Sequence, residues 1–93
     1  MDFDAIYESQ KAFQIRRGLF LGEEPQKETK DLALALHSEV SEILNCITWK
    51  AHRAIDGTLS HSNVKEEIID IFKLWMVLAN VWGLDPKELE ELF

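Results

Sequence analysis

An all-α fold follows from three observations. Apolar residues recur at i, i+3 and i+4 over long stretches, the spacing of one helix face. No segment shows the strict alternation of a half-buried strand. The chain breakers, Pro25 and Pro86 with Gly18, Gly22, Gly57 and Gly83, fall between the periodic stretches and not within them. The simplest arrangement is an antiparallel bundle of about four helices with short connections. Ninety-three residues make a single domain, residues 1–93, and one small enough to depend on partner subunits for part of its core.

The first segment, Asp4 to Arg17, reads as a helix with Ile6 and Phe13 on its apolar side and Arg16 and Arg17 at its end. A loop from Gly18 to Gln26 carries the apolar trio Leu19, Phe20 and Leu21. The second segment, Glu28 to His52, places Leu32, Leu36, Val40, Ile43, Leu44 and Ile47 on an amphipathic stripe. Ile55 to Ser62 is polar and contains Asp56-Gly57, a turn signal. The third helix opens at Ser62 or Asn63, where Asn63 and Glu66 have capping-box spacing, and runs to Trp82 before Gly83 as its C′ glycine. The fourth has Asp85 as its cap and Pro86 in its first turn.

Composition narrows the function classes. Seventeen Asp and Glu oppose ten Lys and Arg for a net charge of −7, the wrong sign for gripping a nucleic-acid backbone. An anionic ligand would need a metal cation to invert the local field. The apolar stretches are interrupted by charge well short of a membrane span, and MDFDAIYESQKAF has no apolar core of a signal peptide. Cys46 is the single cysteine, so no disulfide framework exists, and a cytoplasmic setting is expected.

Two pairs of acids stand out, Glu39 with Glu42 and Glu67 with Asp70. Each pair has i, i+3 spacing, which sets two carboxylates one turn apart on one face. At about 100° per residue, Ile71, Leu74 and Leu78 lie within roughly 40° of Glu67, and Val77 and Val81 flank Asp70. The third helix is apolar nearly all round, with Ile68, Ile69, Phe72, Trp75, Met76 and Trp82 on its other sides. Acids on such a helix are costly unless paired or metal-bound. Glu39 and Glu42 sit at the rim of their stripe, beside Leu32, Ile43, Ala35, Cys46 and Trp49. If the two helices pack antiparallel, four carboxylates converge, and a counter-cation is then required. All-oxygen ligands suit a hard ion, Mg²⁺ or Mn²⁺, better than zinc. The competing reading is that these are solvated acids paired with Lys50, Lys65 or Lys73.

Glu39-x-x-Glu42, a gap of 24 residues and Glu67-x-x-Asp70, set in ALHSEVSEILN, Trp49-Lys50 and EEIIDIFKLWMVLANVWGL, resemble the MazG-like all-α nucleoside triphosphate pyrophosphohydrolases. The dimeric dUTP diphosphatases belong to the same superfamily. The resemblance spans about Leu32 to Leu84. It implies a Mg²⁺-dependent enzyme that cleaves a (d)NTP between its α and β phosphates, giving (d)NMP and pyrophosphate, as in house-cleaning of the nucleotide pool. Glu39, Glu42, Glu67 and Asp70 would hold the metal, with Glu42, assisted by Glu39, orienting or deprotonating the attacking water. Lys50 could reach a phosphate. Trp49, Trp75 and Asn80 are candidates for the base, and LAN around Asn80 looks like the dUTP diphosphatase branch, although Asn80 points away from Glu67. A dimer or tetramer is expected. Relatives continue past the fourth helix with a basic segment; here either that segment is missing or Arg16, Arg17 or Lys27 supplies phosphate contacts.

Two other readings compete. A di-iron bundle wants Glu-x-x-His on two helices, but the residue three after Glu42 is Asn45, and His37, His52 and His61 sit at unrelated positions. Cys46 lacks a base and is expected to be a small buried hydrophobe. The non-enzymatic alternative is an acidic helical interaction module that oligomerises through its third helix and Leu19-Phe20-Leu21.

Overall fold

Asp2 takes the cap of the first helix, its carboxylate accepting the Ala5 N–H at 2.8 Å. The computed structural model describes residues 2–47 and 61–93, with the backbone alone at His61 and Ser62. Among them all regular structure is helical: α1 Phe3–Arg17, α2 Pro25–Asn45, α3 His61–Val81 and α4 Pro86–Leu92. No described helix is long and apolar enough to cross a membrane.

The stops follow backbone chemistry. At the end of α1 Gly18 is left-handed (φ 64°), and the Gly18 and Leu19 N–H groups bond to the Ile15 and Gln14 carbonyls. The same pattern closes α3, with Gly83 (φ 66°) bonding to Asn80 and Leu84 to Ala79. Both are Schellman motifs, which satisfy the last carbonyls of a helix. α2 starts a turn earlier than expected, with Pro25 at its first position. There the Glu28 carboxylate reaches back to the Gly22 and Glu24 N–H groups, both at 3.3 Å. α4 begins as expected, Asp85 accepting the Glu88 N–H at 2.8 Å.

Two boundaries differ from the sequence expectation. α2 closes at Asn45 and not at His52, with Cys46 as its cap. Cys46, Ile47, Thr48 and Trp49 are all weak helix formers, a quieter stop than glycine. Among the described residues α3 is already helical at His61, so Asn63 lies within the helix and not at its cap.

Packing is centred on α3. It runs antiparallel to α2, since Trp82 Nε1 donates to Thr29 Oγ1 at 2.8 Å at one end and Glu67 lies beside Glu39 nearer the other. It runs parallel to α1, since Phe3 meets Phe72 and Gln14 meets Asn80. α1 packs on α3 and α4. A simple bundle of antiparallel neighbours is therefore not what forms. Leu32 of the α2 stripe packs into the core with α3, and α3, apolar on several sides, receives both α1 and α2.

The core between α2 and α3 is Leu32, Val77 and Val81, with Phe20, Leu74 and Leu78 packed against it. Phe20 thus leaves the expected exposed trio and turns inward, at a positive φ of 56°. Along α1 the buried positions are Tyr7 and Gln14, while Phe13 faces out. Val40 and Leu44 on α2 and Ile47 just past its end, all of the expected stripe, are exposed, as are Ile68 and Ile69 on α3 and Trp82 just past its end.

Candidate metal centre

The antiparallel α2–α3 contact brings Glu39 from one helix against Glu67 and Asp70 from the other. One carboxylate oxygen from each lies within 4.8 Å of the other two. Glu39 and Glu67 are half-buried and Asp70 is exposed. Asp70 had been expected within the apolar face; it sits instead at the edge of the α2 contact, about 60° around the helix from Glu67.

Glu67 bears the strain of this arrangement. Its Oε2 is buried and has no hydrogen-bond partner. Two ionised carboxylates cannot bond to each other, because neither has a proton to donate. A bond forms between Glu67 and Glu39 only when one proton is retained, and this raises the Glu67 pKa above the ordinary carboxylate range. Burial and the charges of Glu39, Asp70 and Glu42 push in the same direction. A buried acceptor without a donor, with two further carboxylate oxygens in reach, fits a hard divalent cation. Lys65 and Lys73 do not relieve it, since the one ion pair among the described residues joins Lys27 to Glu24.

Glu42 lies outside the trio. It is exposed and accepts a hydrogen bond from Asn45 Nδ2 at 3.2 Å, one turn further along α2. Its charge nonetheless reaches Glu67. Trp49 and Lys50 lie outside the described residues, as do His52 and Asp56-Gly57. Cys46 is half-buried, its Sγ directed at the Glu42 carbonyl at 3.6 Å, and His37 is exposed.

The candidates for the base are placed away from the trio. Asn80 neither faces water nor turns to the acids; its Nδ2 donates to Gln14 Oε1 at 2.6 Å. Gln14 Nε2 donates in turn to the Phe20 carbonyl at 3.1 Å. Asn80 therefore ties α3 to α1 and to the loop that precedes α2. Trp75 stacks on Phe72, ring centroids 6.2 Å apart, and is half-buried. Trp82 is 60% exposed and anchored through Thr29. Gln14 had no role in the sequence reading. Its heptad spacing from Tyr7 is the signal that could have found it, because i and i+7 share a helix face. Comparisons of the chain with protein-family models, with curated proteins and with solved structures found no match.

Proposed function

We propose that the chain is a Mg²⁺-dependent nucleoside triphosphate pyrophosphohydrolase of the MazG-like kind. The observation that carries this is the orphaned, buried Glu67 Oε2 with Glu39 and Asp70 within 4.8 Å. Glu39, Glu67 and Asp70 would hold the ion directly, Mg²⁺ or in its place Mn²⁺. When bound, such an ion lowers the pKa of water and neutralises charge on the attacked and leaving phosphates.

The protein groups would do the rest. Glu42, one turn from Glu39 and open to solvent, accepts the proton of the attacking water, and its Asn45 contact fixes its orientation. The water oxygen bonds to the α-phosphorus as the bond from that phosphorus to the α,β-bridging oxygen breaks; the monophosphate keeps the water oxygen, and pyrophosphate leaves with the bridging oxygen. The exposed Val40, Leu44, Ile68 and Ile69 support assembly with further copies, a dimer or tetramer. They also favour the second reading, a non-catalytic helical interaction module. The dUTP diphosphatase branch now has less to support it, because Asn80 is engaged by Gln14.

Turnover separates the two readings. Purified protein is incubated with Mg²⁺ and a panel of canonical and modified (d)NTPs, dUTP included, and pyrophosphate is assayed. Release with at least one substrate, abolished by EDTA and cut about 100-fold or more by Glu42→Gln, supports the enzyme. No release from any nucleotide rejects it in favour of the interaction module.

A further inference from the structure

We propose that the loop between α1 and α2 is a clasp that sets the register of α2 against α3, with Phe20 and Gly22 as positioning residues for the carboxylate trio. Its bearing on metal binding rests on the reading given above; the register itself does not.

α2 is held against α3 mainly at one end. Leu32 is its only buried residue. Thr29, whose hydroxyl accepts the Trp82 Nε1–H at 2.8 Å, lies one turn before it. Beyond Leu32 the stripe is half-buried or exposed, with Val40 52% and Leu44 39% exposed. Glu39 lies two turns past Leu32, about 10 Å along the axis. The acids that meet there repel one another and do not fix the helices. A slip of one turn would carry Glu39 about 5.4 Å, further than the 4.8 Å that spans the three oxygens. The trio therefore takes its alignment from the Leu32 end.

The loop grips that end from three sides. Phe20 packs against the Leu32, Val77 and Val81 cluster, and its carbonyl accepts the Nε2–H of buried Gln14 at 3.1 Å. Gln14 is joined in turn to Asn80 of α3. Two residues on, the Gly22 N–H donates to the Glu28 carboxylate of α2 at 3.3 Å. Gly22 also lies so close to the Val81 carbonyl that a Cβ would stand 2.9 Å from its oxygen. Phe20 and Gly22 together thus reach α1, α2 and α3. Phe20 makes its contacts at φ 56°, a left-handed conformation that a bulky side chain rarely adopts. Such strain persists where the surrounding contacts over-determine it, here the ring in the core and the carbonyl on Gln14.

The register can be measured without metal. Nitroxide labels are placed at Lys30→Cys on α2 and Glu66→Cys on α3, both exposed and outside the trio, on a Cys46→Ser background. Double electron–electron resonance then reads their separation, and the parent should give one narrow distance. Phe20→Ala removes the ring and Gly22→Ala forces the loop off Val81. Each should broaden the distance or shift it by up to about one helical turn. Met76→Ala, which opens a cavity in α3 outside the Leu32 cluster, should destabilise the protein and leave the distance unchanged. Mn²⁺ affinity of the unlabelled proteins should fall about tenfold or more in the two loop variants and stay at wild-type strength in Met76→Ala. Circular dichroism confirms that helical content is kept; if Phe20→Ala unfolds, Gly22→Ala carries the test. The parent distance retained in the loop variants, or equal broadening in Met76→Ala, overturns the clasp. An altered distance with unchanged Mn²⁺ affinity overturns the positioning role. A wild-type chain that binds no Mn²⁺ overturns the metal reading alone, and the distances then decide the clasp.

Discussion

The Glu67 carboxyl keeps its proton above the usual pH, because its bond to Glu39, its burial and the neighbouring acidic charges all favour the protonated form. The consequence for stability has a definite sign. A carboxyl whose folded pKa is raised stabilises the fold fully below its unfolded value, and that contribution is lost as pH rises through the folded value. Protein freed of divalent ions should therefore lose stability as pH rises from about 4.5, the ordinary glutamate value, through the raised one. Urea midpoints across that range check this, and Glu67→Gln should flatten the dependence. Divalent ions should reverse the slope, because ligation requires the ionised form. The amide network makes a second claim at this scale. Gln14→Leu removes the acceptor for Asn80 and the donor to Phe20, and should cost about 1–3 kcal/mol in urea unfolding. Adding Asn80→Leu should recover part of that loss, since the two share one interaction.

Among the elements, the turn between α1 and α2 is the least forgiving. Gly22 has φ 82°, and a Cβ there would meet the Val81 carbonyl oxygen at 2.9 Å. Both the dihedral and the contact oppose a side chain, so Gly22→Ala should destabilise by about 1–3 kcal/mol, read from the same urea transition. A stabilised or unchanged variant would mean the loop does not lie against α3 as described. The helices themselves were legible because glycine, proline and capping residues announce them: Gly18, Gly83, Asp85 and Pro86 all act as their types suggest. The end of α2 was not legible, because four weak helix formers in a row carry no punctuation. The choice of α3 as partner for α1 was hidden too. Periodicity tells which face is apolar but not which neighbour covers it, and Gln14 is buried through a long-range amide bond that its own segment does not reveal.

For the whole molecule, a central helix serves both the core and the site. α3 offers Val77 and Val81 to the core and Glu67 and Asp70 to the trio from the same side. Exposed apolar residues remain on α2 and α3, and assembly would cover them. Sedimentation equilibrium should find a species larger than one chain, and Val40→Glu should shift it toward the monomer; a monomer at all concentrations would contradict this. Of the candidate site, the two i, i+3 acidic pairs were legible, and three of the four acids come together. Their convergence could not be read from spacing, because it depends on the antiparallel register of α2 and α3. The metal claim is the one on which the rest depends. Mn²⁺ titration followed by electron paramagnetic resonance, on wild type and Glu67→Gln, tests it most directly. The account predicts saturable binding to the wild type, competed by Mg²⁺ and weakened at least about tenfold in the variant. Absence of binding, or equal binding by both proteins, would contradict it.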